Sequence, residues 1–574
     1  MEKTLMYTGP RLIELLTQQH QKRSSNLFRQ GTFTLRWRAK VGSYPHPDVE
    51  TLVSAGEPCG PWQPKRGRPE DKRNVGENWK LMPDLPLNGY IPGSSIRGIV
   101  RAWAKQQPER IPKMEALLGF QKETVISAGK IQFLDAWPLE PTRLSLDIVN
   151  PQQNFQVFHQ GQGTPLSLYT LGNGRGPIDF LVAIQGVPGA TEEEVDEVWS
   201  WVQQALKVLG IGSRTASGYG RISIPNHKGS RQLSEGISSI LFRFHLSSQG
   251  NAGPDMKTIE LRPSHWRGWL RSWALRFFLG VMSQKNAEKT ASELFGTLEP
   301  KSQKGCIRLE MIQGDIWGDE SKNSPTFYSW EGEIRIEAPK EILTGILLPI
   351  IRVAVMTGGV GRGWRRPLHI FMMQRTEKAP IPAARPAARG SHLTLDIKIK
   401  GEYRVFGIPL EPEKWRQVYE EWYQKVGQIW PERLLSGSQN PNCEAFSPSS
   451  CAVFAVPGPE QDPVNASDLS WVDPNDAEST RGDGMGLVYQ QDQRRNYKRN
   501  PDLGGDAARG SAHCSWVTIR RHKIKHKQAG TQCQEVVCLF MGGVQAGCQH
   551  VRSQFLDDLS RIQGSLHLFG LKPE

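Results

Sequence analysis

One order of elements occurs twice in this sequence, in residues 30–222 and again in residues 238–366. Each copy opens with a strand of alternating apolar and polar residues, which starts at Thr32 in the first and at Ser239 in the second. A loop follows, and then a helix start that combines Pro, Ser and basic residues. These starts read Ile91-Pro-Gly-Ser-Ser-Ile-Arg-Gly and Leu261-Arg-Pro-Ser-His-Trp-Arg-Gly. An internal repeat of this kind limits the chain to folds that use one unit at least twice.

The rest of each copy is also shared. A short turn, Leu117-Leu-Gly or Leu294-Phe-Gly, leads to a strand that begins near Gly129 or Gly305. An amphipathic helix comes next, and each copy ends in a Gly-rich basic loop. The predicted helices are Glu192–Leu209 and Lys340–Met356, and the loops are 210–221 and 358–366. This order predicts an α+β protein of two tandem ferredoxin-like (RRM-like) domains, which we place at residues 1–235 and 236–574.

The second domain is longer than the first. Residues 435–512 are rich in Ser, Pro, Asn, Asp and Gly and show little apolar periodicity. We therefore interpret residues from about 375 to 510 as a large insertion that is partly disordered by itself. A helix is predicted within it, over 411–426. Strands that start at Trp516 and Glu535 are interpreted as late strands of the second domain.

Composition sets broad limits. The 574 residues include 71 Lys and Arg against 58 Asp and Glu, a net charge of +13 that is compatible with an anionic partner. The sequence has no uninterrupted apolar stretch of bilayer length, and the N-terminus lacks the form of a signal peptide. We expect a cytoplasmic protein without a membrane partner.

The cysteines form no CxxC pair among their eight positions. Cys514, Cys533, Cys538 and Cys548, with His513 and His550, are candidate zinc ligands. Their irregular spacing favours free thiols over a structural zinc site.

The two helix starts are candidate phosphate sites. Small residues at a helix start leave backbone amides free, and these amides with the helix dipole favour an anion. Basic side chains then follow at helical spacing. Such a face is commonly just solvated surface, but its recurrence behind the same helix start favours contact with RNA phosphates. The candidates are Gly93, Ser94, Ser95, Arg97 and Arg101 in the first copy, and Arg262, Ser264, His265, Arg267 and Arg271 in the second.

The Gly-rich loops are the second candidate surface. Glycines permit positive φ and a close backbone approach, and the loops add charge and rings. Neither loop ends in the Lys-Ser/Thr of a nucleotide-binding loop, which argues against an ATPase. Arg beside an aromatic residue on a Gly scaffold suits single-stranded RNA. The candidates are Arg214, Tyr219 and Arg221, and Arg362, Arg365 and Arg366. A basic run from Arg520 is interpreted either as solvated surface or as a further RNA contact.

The motif pair of the first copy, residues 90–98 with 209–221, resembles the signature of RAMP proteins, the ferredoxin-like modules of type III CRISPR effectors. The second copy resembles a divergent RAMP branch, and two such domains on one chain resemble the fused backbone subunits of type III-D complexes. The resemblance implies an antiviral ribonucleoprotein subunit with a thumb-like loop at about 42–90. Its implied partners are CRISPR RNA, target single-stranded RNA, other RAMP backbone subunits and the large signature subunit.

The resemblance also implies an endoribonuclease that cleaves target RNA with a loop Asp and Mg²⁺, through in-line attack by a ribose 2′-OH. Asp84 lies eight residues before Pro92, and Asp255 lies eight before Pro263 (92 − 84 = 263 − 255). We predict these two as catalytic residues and Mg²⁺ ligands, with Asp48 and Asp71 as reserves. Both could instead be loop or cap residues of a structural, capping subunit. A stand-alone ribonuclease that processes guides is a third reading, for which the sequence offers no clear His/Lys pair.

Overall fold

The computed structural model divides into two units, and each is described by itself. Described residues of the first unit lie within Met1–Asn150, Thr164–Arg231 and Ala252–Thr258, and those of the second within Pro151–Gly163, Gln232–Asn251 and Ile259–Glu574. The residues described are 9–41, 43–46, 51–54, 58–61, 89–140, 142–149, 156–159, 166–172, 176–224, 235–252, 259–297, 303–314, 316–321, 324–373, 385–435, 441–459, 473, 475–490, 496–505, 513–526, 530–545 and 547–573.

The elements of the first part of the chain run in this order: α1 Gly9–Ser24, β1 Phe28–Leu35, β2 Ser43–His46, β3 Thr51–Ser54, β4 Pro58–Pro61, α2 Gly93–Ala104, α3 Ile111–Leu118, β5 Phe120–Lys122, β6 Val125–Ser127, β7 Ile131–Phe133, β8 Trp137–Pro138, β9 Arg143–Val149, β10 Leu166–Gly172, β11 Ile178–Gly186, α4 Glu192–Leu209 and β12 Ile222–Ser223.

The main sheet of the first unit is antiparallel with the strand order β12-β1-β11-β7, and β8 also pairs with β11. Taken in chain order, its strands and helices are β1, α2, β7, β11, α4 and β12, so the sheet reads fourth, first, third, second. This is the ferredoxin-like arrangement, and the predicted α+β class is confirmed. Apolar faces of α2 and α4 fill the core, through Ile96 and Val100 on one helix and Val198 and Val202 on the other.

The elements from Ile237 onward are β13 Ile237–Ser248, β14 Asn251–Ala252, β15 Ile259–Glu260, α5 Ser264–Leu279, α6 Gln284–Phe295, β16 Arg308–Gly314, β17 Asp319–Glu320, β18 Tyr328–Pro339, α7 Leu348–Thr357, β19 His369–Met373, β20 Arg385–Arg389, β21 Ser391–Ile399, β22 Glu402–Val405, α8 Pro412–Ile429, β23 Cys451–Pro457, α9 Asp483–Tyr489, β24 Val517–His526, β25 Gly530–Phe540, α10 Val551–Arg561 and β26 Leu566–Gly570. No helix in the described parts of the chain combines the length and apolar character needed to cross a membrane.

The large sheet of the second unit has the order β16-β18-β13-β21-β22. Its succession β13, α5, β16, β18, α7, β21 matches that of the first sheet. The strand directly after the second Gly-rich loop, β19, does not join this sheet. It pairs with β20, and β21 takes the place beside β13.

A further four-stranded sheet, β24-β25-β23-β26, lies near the C-terminus. In chain order β23, α9, β24, β25, α10 and β26 again give the ferredoxin-like order. The strands predicted near Trp516 and Glu535 form, but in this sheet rather than in that of the second domain. Its central strand β23 comes from the segment interpreted as an insertion. Cys451, Val453 and Ala455 face one core, and the alternate residues face another, so both sides of this strand are buried.

Candidate nucleic-acid interface

The start of α2 already holds a carboxylate. The Gly93 amide donates a hydrogen bond to Oδ1 of Asp135 at 2.8 Å, and the Ser95 amide donates to the Pro92 carbonyl at 2.9 Å. Gly93 is required here, because a Cβ would collide with the Phe133 backbone. Asp135 therefore fills part of the anion site predicted at this helix start, and Ser94 remains exposed beside it.

The predicted basic face of α2 serves the neighbouring helix. Arg97 donates hydrogen bonds to the Leu118 carbonyl, and Arg101 donates to the carbonyls of Leu118 and Gly119. Leu118 is the last residue of α3. Carbonyls at a helix end lack partners within the helix and carry partial negative charge, so two guanidinium groups satisfy and neutralise them.

The second copy repeats this contact. Arg267 donates to the carbonyl of Phe295, the last residue of α6, and to that of Ile307 at 3.4 Å. Burial, with Arg271 close by, lowers the pKa of Arg267 to about 10. Burial also lowers the pKa of Arg271. Arg267 and Arg271 remain cations near neutral pH. The guanidinium groups of Arg97 and Arg267, which were predicted to contact RNA phosphates, already donate hydrogen bonds to these carbonyls.

The turns that follow these helix ends are equivalent too. Gly119 and Gly296 have φ of 74° and 83°, the left-handed region that glycine adopts without strain. A Cβ at Gly129 would lie 2.7 Å from the Leu117 carbonyl oxygen, and one at Gly305 would lie 2.5 Å from that of Leu294. In both copies the next strand begins against the helix end, so these two turns have the same backbone arrangement.

The start of α5 lies next to the second Gly-rich loop. A Cβ added at Gly361 would be 3.3 Å from Nδ1 of His265, which is half-buried like Ser264. Arg262 donates from Nε to Oε1 of the buried Glu260 at 2.9 Å. The structure thus brings His265 and Gly361 together and pairs Arg262 with a carboxylate.

The first Gly-rich loop is fixed by its backbone. The Ile211 amide donates to the Gly220 carbonyl at 2.8 Å, and the Gly220 amide donates to the Arg38 carbonyl at 2.7 Å. Gly220 has a φ of 61°, and a Cβ there would overlap the Ile211 carbonyl oxygen. Arg214 is exposed on this loop with a left-handed φ of 58°, which presents its side chain to solvent.

Tyr219 differs from expectation. Its ring is buried, 4.7 Å from the ring of Trp37, and the Nζ of Lys40 lies 4.3 Å from its centre. The ring is packed inside the protein, so the predicted stacking on a base would require it to leave this contact. Arg221 is half-buried.

The arginines of the second loop have separate surroundings. Arg362 is exposed. Arg365 donates to Oε1 of Glu444 at 2.7 Å, and Arg366 donates to the Val517 carbonyl and, at 2.8 Å, to Oγ of Ser515. Burial lowers the pKa of Arg366 to about 10. Arg365 and Arg366 hold parts of the second unit together, which leaves Arg362 as the predicted RNA contact that faces solvent.

Glu444 is the centre of a buried charge cluster that the sequence did not reveal. Arg276 donates to its Oε2 from Nε at 2.8 Å, and His159 Nε2 lies 3.0 Å from Oε1. Burial alone would raise the pKa of Glu444, but Arg365 and Arg276 outweigh it and hold that pKa well below its usual range. The cluster joins residues far apart in sequence, and no local motif marks it.

Two of the basic residues in the run from Arg520 are also internal. Arg520 donates to the Val355 carbonyl at 3.3 Å, and Arg521 donates to the Thr480 carbonyl at 2.7 Å. Both are buried, so neither forms part of a solvated face.

The four aspartates predicted for catalysis, Asp84, Asp255, Asp48 and Asp71, lie outside the described residues. The same is true of most of the thumb-like loop. Among residues that the structure describes, no group of three or more His, Cys, Asp and Glu side chains is arranged to hold a metal ion. Mg²⁺ at the aspartates therefore stays a prediction, as does the absence of zinc.

The first copy of the repeat matches a known protein family. Residues 88–223 match the family model described as RAMPs, the RAMP superfamily. A CRISPR system Cmr subunit, Cmr6 of Pyrococcus furiosus, is 31% identical over 131 residues, which are 21% of this chain and 36% of that protein. The match thus spans about a third of the length of this curated relative.

Three solved structures are similar in part. A chain of a type III-B Cmr-beta complex bound to cognate target RNA is 17% identical, with a TM-score of 0.25 over 39% of this chain and 68% of that one. Cmr6 of Pyrococcus furiosus is 20% identical, with a TM-score of 0.19 over 34% of this chain and 97% of that one. A chain of a type IV-B CRISPR complex is 12% identical, with a TM-score of 0.20 over 36% of this chain and 95% of that one. The family-model match includes α2, α4 and the whole of the first Gly-rich loop. Residues 88–223 therefore resemble the RAMP superfamily, and they contain the motif pair from which this resemblance was predicted.

Proposed function

We propose that this chain is an RNA-binding subunit of a type III CRISPR effector, related to Cmr6. The observation that carries the proposal is the match over residues 88–223, since this range holds the helix start and the Gly-rich loop on which Arg214 is exposed. An exposed arginine on a loop with fixed backbone suits contact with phosphates of a single strand, which positions RNA without reading its sequence.

Within this proposal the basic residues divide into two groups. Arg214 and Arg362 are exposed and contact RNA phosphates. Arg97, Arg101 and Arg267 hold the following helix end in place, and so position the surface that carries the contacts. The partners are CRISPR RNA, target RNA, other RAMP backbone subunits and the large signature subunit, in the cytoplasm.

The test of RNA binding uses the full chain and a labelled single-stranded RNA, with fluorescence anisotropy as the readout. The Arg214→Ala variant is compared with Arg404→Ala. The Arg404 side chain is 65% exposed, and its Nη2 lies 3.5 Å from Oε2 of Glu402. We expect the first variant to lose roughly tenfold in affinity, because a hydrogen bond to a charged group contributes about 1.5–3 kcal/mol. Arg404→Ala should bind like the wild type. Equal binding by both variants would contradict the role of the loop.

We further propose that Asp84 and Asp255 cleave target RNA. Mg²⁺ held by them would neutralise charge that develops on the phosphate under attack by the 2′-OH. The reconstituted complex is given target RNA, with Asp84→Ala and Asp255→Ala tested separately. Loss of one specific cut in each variant, with binding retained, supports two active sites. Unchanged cutting by both points to the structural, capping role. Cutting of precursor guide RNA by the isolated chain points to the stand-alone ribonuclease.

A further inference from the structure

Two aromatic rings in the second unit are surrounded by cations. Phe371 lies on β19, and Tyr489 is the last residue of α9. We call these rings, with Arg389, Arg481 and Lys498, the Phe371–Tyr489 cluster. Its members come from three separate segments, and none belongs to the motif pairs described above.

The cations lie directly against the rings. The guanidinium carbon of Arg389 is 3.8 Å from the centre of the Phe371 ring, and that of Arg481 is 4.4 Å from the centre of Tyr489. Nζ of Lys498 is 4.2 Å from Phe371 and 4.6 Å from Tyr489. Ring centres of Phe371 and Tyr489 are 6.3 Å apart. Three positive groups therefore share two neighbouring rings.

The hairpin explains how Arg389 meets Phe371. On β19–β20, Phe371 is opposite Ala387, and Arg389 is two residues further along the same face. The other face carries Ile370 and Ala388, which are buried in a small apolar core. Burial of one face fixes the register of the hairpin, and this register directs Phe371 and Arg389 to the same side.

Within the described parts of the chain, neither Arg389 nor Arg481 forms an ion pair or a side-chain hydrogen bond. Burial lowers the pKa of Arg389, and the nearby Arg362 of the second Gly-rich loop lowers it further. Tyr489 hydroxyl oxygen lies 3.2 Å from Nε2 of His369, and burial keeps this histidine neutral by lowering its pKa to about 3.

Another arginine of the same unit that lies over a ring has a carboxylate partner. On the large sheet, Arg243 also lies over an aromatic ring, 4.5 Å from the centre of Tyr403. There the guanidinium is paired with Asp396 at 2.9 Å, and the Tyr403 hydroxyl donates to Glu333. A cation on a ring recovers only about 0.5–1 kcal/mol at exposed sites, so the rings alone do not balance the charges of Arg389 and Arg481.

We propose that the Phe371–Tyr489 cluster binds the phosphodiester backbone of single-stranded RNA. The inference rests on the RNA-binding function proposed above and adds a surface outside the RAMP motifs. Arg389 and Arg481 converge and have no carboxylate partner among the described residues, which suits an anion. Aromatic rings among the cations suit a flexible single strand rather than a rigid duplex. Arg362 lies on the loop that leads into this hairpin, so one strand could contact the loop and then the cluster.

The experiment measures binding of the full chain to a labelled single-stranded RNA of about 30 nucleotides, between about 50 and 200 mM salt. The test variant is Arg389→Gln with Arg481→Gln. Its matched control is Arg243→Gln with Arg404→Gln, which removes the same charge from arginines paired with carboxylates. Each lost phosphate contact lowers the slope of log affinity against log salt by about 0.7 for single strands, so we expect a decrease of about 1.4 in the test variant. The control should keep the wild-type slope.

A second variant, Arg389→Lys with Arg481→Lys, retains the charge and should retain most of the slope. If it loses binding as the Gln variant does while both keep the wild-type melting temperature, charge is not the cause and the inference is overturned. If the Gln variant binds RNA with wild-type affinity and slope, the inference is also overturned, although RNA binding itself stands. If the wild-type chain binds no single-stranded RNA, it is the proposed function that fails. Binding to vesicles of anionic lipid that depends on these arginines, without an effect on RNA, would replace the inference with a membrane contact.

Discussion

Arg276 and Glu444 form an ion pair in which neither side chain is exposed to solvent. Two nitrogens of Arg276 donate to Oε2, at 2.8 and 2.5 Å, while Oε1 accepts from Arg365. Both carboxylate oxygens thus have cationic partners. The pair connects α5 with the chain just before β23, and so links the large sheet of the second unit to the C-terminal sheet.

Replacing Glu444 by Ala should destabilise the second unit by about 3–5 kcal/mol, since it leaves buried guanidinium groups without a counter-charge. The measurement is urea unfolding of the full chain, followed by tryptophan fluorescence. Glu402→Ala is the control, because this carboxylate is 76% exposed and should change stability by less than about 0.5 kcal/mol. Equal unfolding midpoints for the two variants would rule out a stabilising role for the pair.

Stability should fall as the pH drops below about 6.5. Burial lowers the pKa of His369 and of His522 to about 3 each in the folded chain, whereas the unfolded chain takes up protons near the ordinary value. Between about pH 6.5 and pH 3 the unfolded state therefore binds more protons than the folded state, so the free energy of unfolding decreases as the pH falls. Each histidine contributes about 1.4 kcal/mol per pH unit in this range. Unfolding free energies at about pH 7.5 and 5.5 measure the effect. A His522→Gln variant should show a smaller loss, and equal stability of the wild type at both values would contradict the account.

Arg97→Ala should destabilise the first unit by about 1–2 kcal/mol, because the carbonyl at the end of α3 loses a charged donor. Arg214→Ala should leave the melting temperature unchanged, since its side chain is exposed on the loop. RNA affinity should fall in both variants, but only Arg97→Ala should lower the melting temperature. Thermal unfolding therefore distinguishes a residue that positions the RNA-binding surface from one that contacts RNA. A melting temperature unaffected by Arg97→Ala would argue that this arginine is free to bind phosphate.

Gly220→Ala should disrupt the first Gly-rich loop. Its positive φ costs an alanine about 1 kcal/mol or more, and the Cβ would overlap the Ile211 carbonyl. We expect a lower melting temperature and weaker RNA binding. Gly98→Ala is the matched control on α2, where a Cβ meets nothing within 4 Å and alanine should stabilise the helix by about 0.5–1 kcal/mol. Similar effects of both substitutions would show that the loop geometry is not needed.

The sequence predicted the repeated elements well because each leaves a local pattern. The helix over Glu192–Leu209 has the predicted bounds, with an N-terminal capping box at Thr191 and Glu194. Turns at Gly119 and Gly296 were visible for the same reason, as only glycine suits them. The central strand β23 was missed because it is buried on both faces, so its residues do not alternate in polarity.

The sites were harder to predict than the fold. Arg365 and Arg214 look alike in sequence, yet one pairs with a glutamate 79 positions away and the other is exposed. Tyr219 resembles a stacking ring until Trp37 and Lys40 are seen against it. These differences depend on long-range packing, and no spacing rule along the chain encodes them.

The segment Gln156–His159 lies between β9 and β10 of the first unit but belongs to the second by its contacts. Val157 is buried in the second core, and His159 stacks on Trp516 at 3.7 Å. A cut at the predicted boundary between residues 235 and 236 would therefore not release two intact halves. The C-terminal fragment would lose a piece of its own core and the histidine beside Glu444, so the two parts of this chain are best produced, evolved and mutated as one inseparable polypeptide.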